Sequence, residues 1–246
     1  MIEFSVVDWA AWAPGLATRD EWRRWASGPW LPHGEDTPAL PEVPAMQRRR
    51  IERLGRMAIQ AACWSEGEGG ADSGVPLVFA SRHGDVARSM ELLHALVADE
   101  PLSPTTFGLS VHNAIGALYS IIRGHRGNQL ALAAGKATIE AACVEAAALL
   151  ADGATEVRIV AYDPPLPALY SAFLDEPAAY YAWCWRVAAP GAGGTRLGLR
   201  WQADGGADDV PGTLPHALDL HRFLLDGGPT LERVVDGRRW SWRRAG

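Results

Sequence analysis

One stretch constrains this 246-residue chain more than any other. Residues 102–163 read LSPTTFGLSVHNAIGALYSIIRGHRGNQLALAAGKATIEAACVEAAALLADGATEVRIVAYD. The pattern is helix, short strand, glycine turn, alanine-rich helix, strand. An apolar helix over 108–123 stops at Gly124 and Gly127. Gln129, Leu130, Ala131, Leu132 and Ala133 form a short strand, and 137–151 a helix closed by Asp152-Gly153. Residues 157–162, rich in valine and isoleucine, form a buried strand. A sharp strand-to-helix turn pushes one residue outward at a helix N-terminus, the geometry of a nucleophile elbow. Here that turn is Ala134-Gly135-Lys136 and holds neither cysteine nor serine.

The flanking segments extend an alternation of strands and helices. Residues 2–7 read as a strand, 19–27 as a helix with Asp20 and Glu21 in its first turn, and the proline-rich 28–45 as a surface loop. A helix is expected over 46–66, basic first and apolar later, then a flexible turn over 67–75. PLVFAS (76–81) reads as a buried strand, and 84–99 as an amphipathic helix with Val86, Met90, Leu93 and Val97 on one face. The expected class is therefore α/β: a mixed, mostly parallel sheet covered by helices on both faces. Beyond Pro164 the segments 178–189 and 195–203 read as two strands of a hairpin joined by PGAGG. A helix over 214–226 and a last strand over 238–242 follow. The expected organisation is one domain over 1–246, a core of 1–165 with a hairpin and helix extension over 166–246.

Composition removes several functions. A net charge of −6 argues against nucleic acid or an anionic membrane surface as partner. The three cysteines, Cys63, Cys143 and Cys184, form no metal-binding or disulfide spacing; no metal or cofactor is expected. The first residues lack a signal-peptide pattern, and no apolar run reaches membrane-spanning length, so a cytoplasmic protein with no membrane span is expected. Eleven tryptophans, five of them Trp9, Trp12, Trp22, Trp25 and Trp30, read chiefly as anchors that pack irregular segments onto the core.

The order and content of these segments resemble the N-terminal half of the thiolase-like beta-ketoacyl synthases. PLVFASRHGD is similar to their strand leading into a glycine turn, and LSPTTFGLSVHNAIGALYSI to their Ser-Pro, Phe, Asn-Ala helix. RGHRGNQ resembles the approach to their elbow, and AALLADGATEVRIVAYD their helix–Gly–Ala–Asp–strand segment. The resemblance spans 1–165 and is most specific over 103–163. It places the family's Thr-Ala-Cys elbow on Ala134-Gly135-Lys136, so Lys136 occupies the nucleophile position. The family's two catalytic histidines and Gly-Phe-Gly loop are absent; His216 and His221 sit in no such motif.

The resemblance therefore implies no catalytic residue. It implies a chain-length-factor-like subunit that pairs with an active ketosynthase in polyketide or fatty-acid-like synthesis, as in the short forms found with aryl-polyene and xanthomonadin-type pigments. Physical chemistry points the same way. Acyl transfer needs a thiolate whose pKa a helix N-terminus lowers. An ammonium there opposes the helix dipole, so Lys136 should reach out to a carboxylate or solvent. The partner contact and acyl channel are expected at Asn113, Gln129, Leu130, Ala131, Leu132, Ala133, Gly135 and Lys136, because an apolar edge strand invites another chain. Arg48, Arg49, Arg50, Arg53 and Arg56 could dock an acidic acyl carrier protein. An enzymatic alternative remains: Arg82-His83-Gly84 matches the start of the histidine phosphatases, and an acyltransferase could use an unusual nucleophile, or His112-Asn113 as an acid–base pair.

Overall fold

The computed structural model describes residues 1–66, 70 and 74–245. The turn expected over 67–75 lies for the most part outside the described residues. One eight-stranded sheet runs through the chain: β1 (Ile2–Trp12), β2 (Leu77–Ala80), β3 (Gln129–Leu132), β4 (Glu156–Asp163), β5 (Tyr181–Ala188), β6 (Thr195–Ala203), β7 (Thr230–Val235) and β8 (Arg238–Arg244). Their spatial order is β3-β2-β4-β5-β1-β6-β8-β7.

The α/β class holds, but the sheet is mostly antiparallel rather than mostly parallel. Only β2 with β3 and β2 with β4 run parallel; the other five pairings are antiparallel. The parallel part is the segment in which helices separate successive strands.

The expected hairpin of 178–189 and 195–203 does not form, because β1 lies between β5 and β6. β5 pairs with β1 from Trp12 to Ser5, and β6 from Val6 to Ile2. The chain crosses β1 where its register slips between Val6 and Asp8. Gly194 makes that crossing at φ +71°, and a Cβ there would lie 2.1 Å from the Val6 carbonyl oxygen. Only glycine fits so close an approach. Strands from both sides of residue 165 thus share one sheet.

Helices cover both faces of the sheet's first half. α1 (Arg19–Ser27) begins at a capping box: Thr18 Oγ1 accepts from the Glu21 N–H, and Glu21 accepts from the Thr18 N–H. The helix expected over 46–66 is two, α2 (Ala45–Arg48) and α3 (Arg53–Trp64), parted where Glu52 caps the second in extended conformation. α4 (Val86–Val97) follows β2. The helix expected over 108–123 also divides, into α5 (Pro104–Ser110) and α6 (Ala114–Arg123). At that break the His112 ring bonds the Ser81 carbonyl at 2.9 Å, a tertiary contact that outweighs continuation of the helix. α7 (Thr138–Ala151) and α8 (His216–Asp226) complete the set.

α1, α7 and α8 pack one face; α3 and α6 pack the other. No residue of β6, β7 or β8 joins the second cluster, so that face of those strands has no helical cover among the described residues.

The buried tryptophans lie in strands and helices rather than in the irregular segments they were expected to anchor, and Trp30, in the proline-rich loop, is exposed. Trp22, Trp183, Trp185 and Trp242 are fully buried, and the indole N–H groups of Trp22 and Trp183 donate to the carbonyls of Ala11 and Ala217. His221 sits among Trp9, Trp22, Trp183 and Trp185 and accepts the Trp185 indole N–H on Nδ1. Burial pushes its pKa down to about 3, so it is a neutral core histidine.

Candidate functional site

The strand-to-helix turn forms as its residues dictate. β3 ends at Leu132, Gly135 takes φ +55° in a 3-10 turn (Gly135–Ala137), and α7 begins at Thr138. The Thr138 hydroxyl donates to the Gly135 carbonyl at 2.7 Å and accepts the Ala134 N–H at 3.0 Å. Lys136 reaches outward, as expected. Its Nζ lies 2.7 Å from Asp208 Oδ2, and that hydrogen bond holds its pKa above the usual lysine value. A lysine nucleophile needs the opposite shift, so the geometry opposes that chemistry. The Arg233 guanidinium donates to the Lys136 carbonyl at 2.7 Å and fixes the turn from β7.

No described cysteine substitutes for the missing thiol. Cys143 is fully buried about one and a half turns into α7, and burial raises its pKa well above the ordinary value. Burial pushes Cys63 up to about 12 and Cys184 up to about 11. None carries the lowered pKa of a reactive cysteine.

Beneath the turn lies a feature that sequence reasoning missed. Glu140, wholly buried in α7, holds His216 Nε2 at 2.5 Å and accepts the Trp242 indole N–H at 3.3 Å. Burial by itself would raise the Glu140 pKa; the charge and hydrogen bond of His216 overcome it, and the net shift is downward. His216 also lines an open cavity of about 550 Å³ beside Lys136, Asp208 and Arg233. The pair is 76 residues apart in sequence, so no local spacing could show it.

The other sequence candidates divide. Asn113 is exposed at the N-cap of α6 and makes no side-chain capping bond. The Gln129 side chain accepts the Ser120 hydroxyl at 2.8 Å, which ties it to α6. Leu130 and Leu132 pack against the core, whereas Ala131, Ala133 and Gly135 are exposed. β3 is an end strand of the sheet. α6, which packs against β3, presents Ile121, and α4 and α5 present Leu96, Val97 and Phe107, all 60% exposed or more. Patches of this kind mark interaction surfaces.

Arg82-His83-Gly84 sits at the end of β2, but no phosphate site is open there. The Arg82 guanidinium is held by Asp175 and Glu176, each at 2.7 Å. Burial and the adjacent Arg82 charge lower the His83 pKa. Of the five arginines over 48–56, Arg48 and Arg56 donate to backbone carbonyls and Arg53 lies over the Tyr180 ring. Only Arg49 and Arg50 of this group are exposed. The described residues hold no group of three or more metal-ligating side chains, and none of their helices is long and apolar enough to cross a membrane.

Asp163, at the end of β4, accepts from the Ser81 hydroxyl at 2.7 Å, the Arg82 N–H at 3.0 Å and the Tyr181 hydroxyl at 3.0 Å. Burial nevertheless pushes its pKa up to about 7. The folded chain thus holds this proton more tightly than the unfolded chain, whose carboxyl titrates near 3.8. The stabilisation is present in full below the unfolded value and is lost as pH rises through about 7. At about 1.4 kcal/mol per unit, the loss is at most about 4 kcal/mol. Denaturant melts from pH 4 to 8 should show Asp163→Asn gaining on the native chain as pH rises. A constant difference would rule out this titration.

Comparison with known proteins places the geometry. The family model described as "Beta-ketoacyl synthase, N-terminal domain" matches residues 22–243. Among solved structures, the chain is similar to one from a complex of the ketosynthase ApeO with its chain length factor ApeC from Xenorhabdus doucetiae. The TM-score is 0.81 at 24% identity, covering 99% of this chain and 100% of that one. A complex of a type II polyketide synthase acyl carrier protein with its ketosynthase, AntDE:AntF, gives 0.71 at 11% identity, with both chains fully covered. A beta-ketoacyl synthase from Burkholderia phymatum STM815 gives 0.62 at 13% identity, over 84% of this chain and 66% of that one. No curated protein matches. The thiolase-like strand-turn-helix and the family match over nearly the whole length agree: the chain belongs to the beta-ketoacyl synthase N-terminal domain family.

Proposed function

We propose that this chain is a non-catalytic, chain-length-factor-like subunit that pairs with an active beta-ketoacyl synthase and shapes its acyl channel. One observation carries the reading: the elbow that should present a thiolate presents an ammonium bound to Asp208. The three buried thiols of the chain cannot take its place. The surroundings support the same reading. β3 leaves a backbone edge open, and α6 beside it and the neighbouring α4 and α5 carry uncovered apolar side chains. The likeness to a chain in a ketosynthase–chain length factor complex, end to end in both, supports a heterodimer, and the analogy extends to aryl-polyene-type synthesis.

Incubation of the purified heterodimer with an acyl-carrier thioester tests the division of labour. Mass spectrometry is expected to find the acyl adduct on the ketosynthase and none on this chain, and Lys136→Ala should leave that pattern unchanged. An adduct on Lys136 or on any cysteine of this chain would establish catalysis here instead.

A further inference from the structure

The segment between β6 and α8 reaches the elbow, and polar contacts hold it there. Every residue from Gly205 to Thr213 is exposed, Val210 by 90%. The segment runs along the outer edge of β7, the other end strand of the sheet. Val235 pairs with Arg238 across a two-residue turn, so Val234 turns its backbone groups outward. Asp209 satisfies both: its N–H donates to the Val234 carbonyl at 2.9 Å, and its carboxylate accepts the Val234 N–H at 2.7 Å. Asp208 accepts the Asp236 N–H at 2.9 Å on one oxygen and the Lys136 ammonium at 2.7 Å on the other.

Behind this segment lies the cavity of about 550 Å³ that His216 lines. Asp208, Asp209 and Val210 form one of its walls; Lys136 on the elbow and Leu231 on β7 form others. The contacts that hold the segment are of a kind that opens at little cost. The Lys136 and Asp208 side chains are 31% and 36% exposed, where an ion pair is weak and screened by salt. Gly205-Gly206 at one end and Gly212 at the other can absorb a change in backbone angle. Exposed backbone hydrogen bonds without apolar burial place a segment at the low end of local stability.

We infer that residues 204–213 are a lid on the elbow, latched by Lys136 on Asp208, and that breaking this pair opens the cavity behind it. The residue at the tip of the turn then has a task of its own. It draws an acidic segment of the same chain against the elbow and closes the approach to it. The inference stands on the contacts of the segment and not on pairing with a ketosynthase, so either reading survives the failure of the other.

Hydrogen-exchange mass spectrometry on the full chain reads the lid through peptides carrying the Asp209, Val234 and Asp236 amides, whose bonds all run between the lid and β7 or its turn. Lys136→Ala and Asp208→Asn are each expected to speed exchange there by about two- to fivefold, and the double variant by no more than either alone. Added salt should speed exchange in the native chain and leave the variants unchanged. Equal exchange in the native chain and both variants would overturn the inference. An equal rise in β5 would overturn it too, because the pair would then support the whole fold. A thiol probe reads the cavity itself. Leu231→Cys places a sulfur in its wall, and the chain's own three cysteines are buried. Iodoacetamide is expected to label that thiol about two- to fivefold faster once Lys136→Ala is added. Equal labelling rates would mean that the cavity is open with the latch closed, and would sink the lid.

Discussion

Ala131→Pro is expected to cost this chain its ketosynthase partner while leaving it folded. The sense of the β3 ladder makes the experiment specific. The Leu77 N–H donates to the Asn128 carbonyl, and the Ser81 N–H to the Leu132 carbonyl. With Leu77 opposite Gln129 and Val78 opposite Leu130 in a parallel pair, the even-numbered residues of β3 turn their backbone groups toward β2. Gln129 and Ala131 turn theirs to the open edge. Proline at 131 removes an outward N–H and places its ring where a neighbouring strand would lie, without touching the internal ladder. Each edge hydrogen bond contributes about 1 kcal/mol, and the ring obstructs the bonds beside it, so affinity should fall by about 30-fold or more. Leu130→Pro would instead break the bond to β2 and weaken the fold itself. Phe107→Glu, a charge on the exposed apolar surface, should weaken pairing comparably if α5 lies in the same interface. Co-purification and analytical ultracentrifugation measure the loss, and circular dichroism verifies the fold. A heterodimer that survives Ala131→Pro at native affinity would remove β3 from the interface.

Much of this architecture was legible in the sequence, and what escaped has a common cause. Helix α1 stands at the expected boundaries because its start and stop are local: Thr18 and Glu21 close the capping box and Gly28 ends the turn. The elbow was legible for the same reason, since a short apolar strand, a glycine at positive φ and an alanine-rich helix are neighbours in the chain. The intercalation of β1 was not legible. A strand between β5 and β6 is a pairing across nearly the full chain, and PGAGG looks like a hairpin turn whether or not it crosses another strand. β7 was legible but overlooked: Asp236 and Gly237, both at positive φ, form the two-residue turn of the β7–β8 hairpin. At the site, sequence found the position of Lys136 but neither Asp208 nor the Glu140–His216 pair, because a single sequence carries no signal for partners over 70 residues away.

That pair should be the most stability-sensitive point near the elbow. Glu140→Ala removes a fully buried carboxylate, leaves His216 without its partner and strips the Trp242 indole N–H of its acceptor. Leaving a buried donor unsatisfied costs about 1–3 kcal/mol, and here both His216 Nε2 and the Trp242 indole N–H lose their acceptor. In a chain of this length that lowers the melting temperature by on the order of 10 °C. Replacing both partners is a different experiment. Glu140→Met together with His216→Leu fills similar space and removes the His216 donor along with its acceptor, so part of the loss should return, while the Trp242 indole N–H stays unsatisfied. The double-mutant cycle closed by the single variants Glu140→Met and His216→Leu separates two roles. A coupling above about 1 kcal/mol identifies an ion pair that supports the floor of the elbow. Additive losses would mean that Glu140 and His216 contribute through packing, each on its own. Either way the position matters to function only through shape: a loosened α7 N-terminus would displace Gly135 and Ala131 together, so Glu140→Ala should also weaken ketosynthase pairing, and the paired variant should restore part of it.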